Sequence, residues 1–163
     1  DRSVDGEPVY RTPSELFGAV SPNDTPVFDE IFEKASVLVA GRVVLCPMAV
    51  GAHVDHQLCA HVGRRLQKAG QEVWFYPDAP YCFPDSGPKV RSDTSLLASR
   101  RLRARIWSNR AVEIDWQAKS ELVAEYSSQI EELFGDLVSY QYLAEDYFHH
   151  IGGTLELYHQ LRW

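Results

Sequence analysis

Hydrophobic and polar positions along this chain alternate with two different periods, and the changes of period mark out its elements. Val27, Phe28, Ile31, Phe32 and Ala35 recur at three- and four-residue spacing behind Asp24-Thr25-Pro26, which predicts a helix beginning there. A shorter helix is predicted ahead of it. Thr12-Pro13-Ser14-Glu15 sets a capping residue, a proline and a glutamate in the order of a helix start, with an end near Gly18. Arg42-Val43-Val44-Leu45-Cys46 is a continuous apolar run, as expected of a strand covered on both faces in a parallel sheet. A helix ending at Gly70 follows, with Cys59, Val62, Gly63 and Leu66 as its buried stripe and His56 on the same side. Glu72-Val73-Trp74-Phe75-Tyr76 then reads as the next strand, which completes a βαβ unit.

The flanking segments are less regular. The first residues read as a loop with a turn at Asp5-Gly6. Arg103 to Trp107 and Ala111 to Ile114 alternate around Ser108-Asn109, which predicts a hairpin. Asp115 is placed to cap a long final helix carrying Leu122, Val123, Tyr126, Ile130 and Leu133, stopped at Gly135. The remainder, Leu137 to Trp163, is rich in aromatic residues, with a helical piece over Tyr140 to His150. No internal repeat is present.

Composition narrows the class of protein. At 163 residues the chain fits one domain, and a domain of that size buries roughly 70% of its unfolded surface. A net charge of −7 argues against a general nucleic-acid binder, because phosphate affinity needs a basic surface. No stretch is apolar enough to span a membrane, and the polar start Asp1-Arg2-Ser3 does not have the form of a signal peptide. Cys46, Cys59 and Cys82 are odd in number and widely spaced, which suggests reduced thiols in a cytoplasmic protein.

The candidate chemistry lies in Pro47-Met48-Ala49-Val50-Gly51-Ala52-His53-Val54-Asp55-His56, where the first strand gives way to a helix. Ligand sites of parallel sheets sit just beyond the carboxyl ends of the strands. The loop carrying His53, Asp55 and His56 and the loop Asp78-Ala79-Pro80-Tyr81 follow neighbouring strands, so both belong to one rim. Histidine and carboxylate are zinc ligands, and a catalytic zinc leaves one position open for water. His53 and His56 can face one point if the turn is tight, which Gly51 and Ala52 permit. Asp55 has three candidate roles: metal ligand, helix cap, or second-shell partner of a histidine. The same residues also suit a plain helix N-terminus with two half-buried histidines. His61, His149, His150 and His159 offer no obvious third ligand. The arginine-rich segment from Ser86 to Arg110 reads first as a solvated hairpin face, and second as a contact for an anionic or sugar substrate.

Several further segments carry a family resemblance. They are Val9-Tyr10-Arg11 through Glu15-Leu16-Phe17-Gly18, Pro47 through His56, and Phe75-Tyr76-Pro77-Asp78-Ala79-Pro80-Tyr81. Lys119 and Tyr126-Ser127-Ser128-Gln129 through Leu133-Phe134-Gly135 complete the set. In order and spacing these resemble the PIG-L (LmbE-like) zinc-dependent N-acetylglucosaminyl deacetylases. The resemblance implies an α/β fold, a Rossmann-like three-layer sandwich with a mostly parallel sheet, and hydrolysis of an N-acetyl group from an amino sugar. It implies zinc as cofactor, His56 as a metal ligand, and His53 as the imidazole that stabilises the oxyanion or protonates the leaving amine. It further implies Asp55 as support for His53, and the Asp78 and Tyr81 segment as a substrate contact. Members also carry a first-strand motif of the form AHPDDE, which supplies further zinc ligands, and this chain has none. The resemblance therefore covers the C-terminal three-fifths of such a domain, and the N-terminal strands are expected from a missing or separate segment. A sheet lacking them would expose a long apolar edge. A non-catalytic sugar-binding remnant of the same fold is the alternative, and an unrelated HxDH hydrolase a third.

Overall fold

The computed structural model of the chain describes residues 2–79, 81–83, 106–150 and 155–161. A two-stranded hairpin opens it, β1 (Ser3–Val4) and β2 (Glu7–Pro8), joined through Asp5-Gly6. Helix α1 (Pro13–Leu16) follows with the expected reciprocal cap between Thr12 and Glu15. Helix α2 spans Thr25–Leu38. Strand β3 (Val44–Pro47), helix α3 (Val54–Lys68) and strand β4 (Val73–Tyr76) form the predicted βαβ unit, with Cys46 opposite Phe75 and Pro47 opposite Tyr76 in parallel register.

Packing explains why the unit closes. Cys46, Met48, Val62, Leu66, Val73 and Phe75 form one buried cluster between α3 and the sheet, and Phe28 and Phe32 of α2 pack against it. Gly63 lies so close to the sheet that an added Cβ would meet Cys46 Sγ at 2.8 Å and Phe75 Cε1 at 3.1 Å. The buried face of α3 uses Leu58, Val62 and Leu66. Cys59, expected in that stripe, is exposed instead.

The sheet differs from expectation in kind. Its order is β3-β4-β6-β5, with β5 at Ile106–Glu113 and β6 at Leu155–Leu161. Strand β6 runs antiparallel to both β4 and β5, so only the β3–β4 pair is parallel and the described sheet is mixed rather than mostly parallel. The hairpin expected around Ser108-Asn109 is absent: those residues lie inside one continuous strand, whose partner is β6. Strand β3 was expected to be covered on both faces, yet Leu45 is 54% exposed.

The predicted long final helix is two, α4 (Trp116–Ala124) and α5 (Ser127–Phe134), parted at Glu125-Tyr126, where Tyr126 leaves the helical conformation with ψ of 47°. Asp115 does cap α4, accepting from the Ala118 N–H, and α5 ends at Gly135 as expected. Helix α6 (Leu137–His150) completes a second cluster in which Phe83, Ile130, Tyr140 and Ala144 are buried. The arginines at 91–105 and Lys89 lie outside the described residues, as does Pro80. Among the described residues, no helix is long and apolar enough to cross a membrane.

Candidate active site

The parallel pairing of β3 with β4 brings the two predicted loops together. Past Pro47, the Met48 N–H donates to the Tyr76 carbonyl, and the chain then turns through Ala49 and Ala52, both at φ of 59°. Non-glycine residues hold this left-handed conformation only where the surroundings impose it, and such residues cluster at functional sites. The imposition is visible. The Val50 N–H donates to Asp78 Oδ1 at 3.1 Å, and Gln57 Nε2 donates to the carbonyls of Ala52 and Gly18 at 2.6 and 2.7 Å. Gly51 is required by its neighbour, because a Cβ there would meet the Tyr81 ring at 2.2 Å.

His53 is the N-cap of α3. Its Nδ1 accepts the Asp55 N–H at 3.3 Å, which leaves Nε2 as the nitrogen that carries the proton in the neutral ring. Burial, and then the neighbouring His56, hold the His53 pKa below its ordinary value. His56 lies 5.3 Å away, ring centre to ring centre. Its Nδ1 is 2.6 Å from Asp78 Oδ2, and Asp78 is 3% exposed. A buried carboxylate accepting from Nδ1–H leaves Nε2 of His56 as a free lone pair, the arrangement that orients histidine ligands of metals.

The geometry revises two expectations. Asp78, expected to touch substrate, has one carboxylate oxygen on the Val50 N–H and the other on His56. Asp55, expected to support His53 with its carboxylate, does so with its backbone N–H. Its side chain is 56% exposed, stands 4.0 Å from His53 Nδ1 and pairs with Arg2 at 2.5 Å.

Tyr81 is 8% exposed and stands edge-on to His56 at 5.5 Å. Burial and the nearby Asp78 push its phenol up to about 12, so it remains protonated at neutral pH.

Two residues join the site that sequence reasoning had not assigned to it. Phe17 stands edge-on to both His53 (5.2 Å) and Tyr81 (5.7 Å), so that Phe17, His53, His56 and Tyr81 form one aromatic wall. Arg2 pairs with Asp24 at 2.8 Å as well as with Asp55, and the Tyr10 hydroxyl donates to Asp24 at 2.5 Å. This network fastens the N-terminal hairpin beside the start of α3. The signal for Phe17 was its place in a recognised segment; Arg2 gave none. His159 is away from this cluster, buried in the sheet with Nδ1 2.7 Å from Asn109 Oδ1.

As a metal centre the constellation is partial. His56 fits a ligand, with an oriented ring and a free Nε2. Among the described residues, no group of three or more histidine, cysteine or acidic side chains is placed to hold an ion together.

Comparison with known proteins finds similarity to deacetylases. Over 82 residues, 49% of the chain, the sequence is 35% identical to the 2′-N-acetylparomamine deacetylase of Niallia circulans, and the match covers 30% of that protein. Three solved structures superpose on most of the chain. The A40926 pseudoaglycone deacetylase does so with a TM-score of 0.64 and 18% identity, over 86% of this chain and 58% of that one. A zinc-inhibited form of teicoplanin deacetylase gives 0.64 and 18%, over 97% and 58%. A deacetylase–bog complex from the teicoplanin biosynthesis pathway gives 0.61 and 19%, over 92% and 60%. The chain has the fold of these deacetylases. It spans about three-fifths of their length, and no family model matches it.

Proposed function

We propose that the chain is the C-terminal part of a PIG-L (LmbE-like) N-deacetylase that hydrolyses an N-acetyl group from an amino sugar in a glycoconjugate or natural product. The observation that carries this reading is the His56–Asp78 pair at the carboxyl rim of the parallel strands β3 and β4. Support comes from the similarity to a deacetylase that acts on an acetylated amino sugar and from the shared fold.

In this reading His56 Nε2 is one ligand of a zinc ion, which supplies polarisation of the amide carbonyl and activation of water. His53 presents its Nε2–H to the carbonyl oxygen as negative charge develops there, a donor whose direction is fixed by the N-cap bond at Nδ1. Asp78 is a positioning residue that holds His56 in the ligating tautomer. Asp55 and Arg2 neutralise each other beside His53. Tyr81 and Phe17 wall one side of the two imidazoles. The three free cysteines accord with a cytoplasmic setting.

The remaining ligands belong, in this proposal, to an N-terminal segment that completes a Rossmann-like three-layer sandwich. Strand β3 is the edge of the described sheet, and apolar side chains on it and just before it are open: Val43 is 52% exposed and Leu45 54%. A free edge with such a surface is a template for strand pairing. In the complete enzyme, His56→Ala should lose zinc, whereas His53→Ala should retain zinc and lose turnover. Full zinc content and full activity in both variants would overturn the assignment, and sugar binding without acetate release would favour a non-catalytic remnant.

A further inference from the structure

His53 is held from both sides by a single residue. It adopts the extended N-cap conformation, with φ of −60° and ψ of 132°, and these two angles are the rotations between the peptide planes before and after its Cα. The carbonyls of both planes end on Gln57. Its backbone N–H donates to the His53 carbonyl at 2.9 Å, as the first turn of α3 requires, and its side-chain Nε2 reaches back to the Ala52 carbonyl at 2.6 Å. The Ala52 plane is the one that needs holding. Ala52 is buried and sits at φ of 59°, a conformation that persists in a non-glycine residue only where the surroundings impose it.

The second hydrogen on Nε2 goes to a different part of the chain. It is donated to the Gly18 carbonyl at 2.7 Å, 39 residues earlier in sequence. The neighbouring Phe17 is the C-cap of α1 and stands edge-on to the His53 ring at 5.2 Å. The same amide therefore orients the backbone that carries the imidazole and moors the segment whose ring packs against it. Glutamine suits this place because its one nitrogen offers two donors. Glutamate has the same shape but only acceptors when ionised, and methionine has a similar length and no donor. With both amide hydrogens spent on backbone carbonyls, Gln57 has none left to donate to a substrate.

We propose that Gln57 is the positioning residue of the His53 imidazole, fixing the direction in which Nε2–H points into the site. Its consequence for turnover rests on the deacetylase reading above. The clamp itself is a matter of geometry and is tested separately from turnover.

The experiment uses the complete protein with Gln57→Met and Gln57→Glu, and Gln117→Met on the exposed surface of α4 as the control. The first readout is NMR of the two rings. The wild type and the control should show nuclear Overhauser contacts between Phe17 and His53 and one His53 tautomer, protonated at Nε2. Both Gln57 variants should lose the contacts and show the two tautomers in exchange. The second readout is acetate release. Misplacing a reacting group by about 1 Å costs about 10²-fold, so Gln57→Met should lower kcat at least about tenfold. KM and zinc content should stay as in the wild type, because the interaction lost is one made in the transition state. Added to His53→Ala, Gln57→Met should change kcat less than about twofold, since residues acting as a unit are not additive. Preserved ring contacts and a single tautomer in both Gln57 variants would overturn the proposal, and so would an equal fall in kcat with and without His53. A wild type that released no acetate would overturn the deacetylase reading instead, and the ring contacts would then decide the clamp alone.

Discussion

Asp78 offers the sharpest perturbation of the candidate site. Its two carboxylate oxygens serve two loops: Oδ1 takes the Val50 N–H and Oδ2 takes His56 Nδ1. Hydrogen bonds to a charged group are worth about 1.5–3 kcal/mol each. His56 is partly solvated, which places its bond at the low end, so Asp78→Ala should cost about 2–4 kcal/mol. A domain is stable by only about 5–15 kcal/mol, so the loss is a large fraction of the total. Asp78→Asn should cost less, about 1–2 kcal/mol, because the amide oxygen still serves one of the two donors. Its other terminus is an NH2, however, and that group donates to His56 Nδ1 and drives the ring proton to Nε2. Urea unfolding gives the stabilities, and long-range 1H–15N correlation of the His56 ring gives the tautomer. The wild-type ring should be protonated at Nδ1, and the Asn variant at Nε2. If Asp78→Ala costs under about 0.5 kcal/mol, or the His56 tautomer is the same in all three proteins, then Asp78 does not orient His56 and the argument fails.

Further predictions follow from neighbouring packing. Gly51→Ala places a methyl group 2.2 Å from the Tyr81 ring, so Tyr81 must leave His56 and Phe17; overpacking of this kind costs about 1–3 kcal/mol, and the near-ultraviolet circular dichroism of Tyr81 should change with it. Phe75→Ala, at a side chain with no exposure, should lower stability by about 3–5 kcal/mol in urea unfolding. Burial lowers the pKa of His159, so the unfolded chain takes up a proton at this residue before the folded one does. Its contribution to stability is therefore complete above the unfolded value of about 6.5 and is lost as pH falls below it. His159→Gln should flatten the decline between pH 7 and pH 5 measured by thermal unfolding, and an unchanged slope would contradict this.

How much of this was legible in the sequence depended on the range of the interactions. The βαβ unit, the start of α2 and the C-terminal end of α3 follow from local period and capping chemistry; the cap at the start of α3, offered by the sequence as Asp55, is His53. The mixed sheet was not legible in this way, because the position of β6 is a pairing between residues far apart in the chain. Its own signal was present: Leu155, Leu157, His159 and Leu161 alternate with polar or aromatic residues at period two. Without β6, the alternation around Ser108 had no partner to suggest except itself, which is why it read as a hairpin.

The candidate site divides in the same way. That the His53–His56 loop and the Asp78 loop share a rim was inferable, since parallel strands deliver their carboxyl ends to one side. Which partner Asp78 takes was not, for it depends on the exact register of Pro47 with Tyr76 and on the turn forced at Ala49 and Ala52. Asp55 shows the limit of motif reading. An acidic residue between two histidines suggests a carboxylate–imidazole pair, yet helix geometry turns its side chain outward to Arg2 and leaves its backbone N–H to His53.

The central claim is that these residues belong to an amide-hydrolysing centre. The most direct test is acetate release from a panel of N-acetylated amino sugars by the complete protein with zinc, measured beside its His56→Ala variant. The account predicts stoichiometric acetate and free amine from the wild type and background levels from the variant. Release that is equal in both, or absent in a wild-type protein that retains zinc, would contradict it.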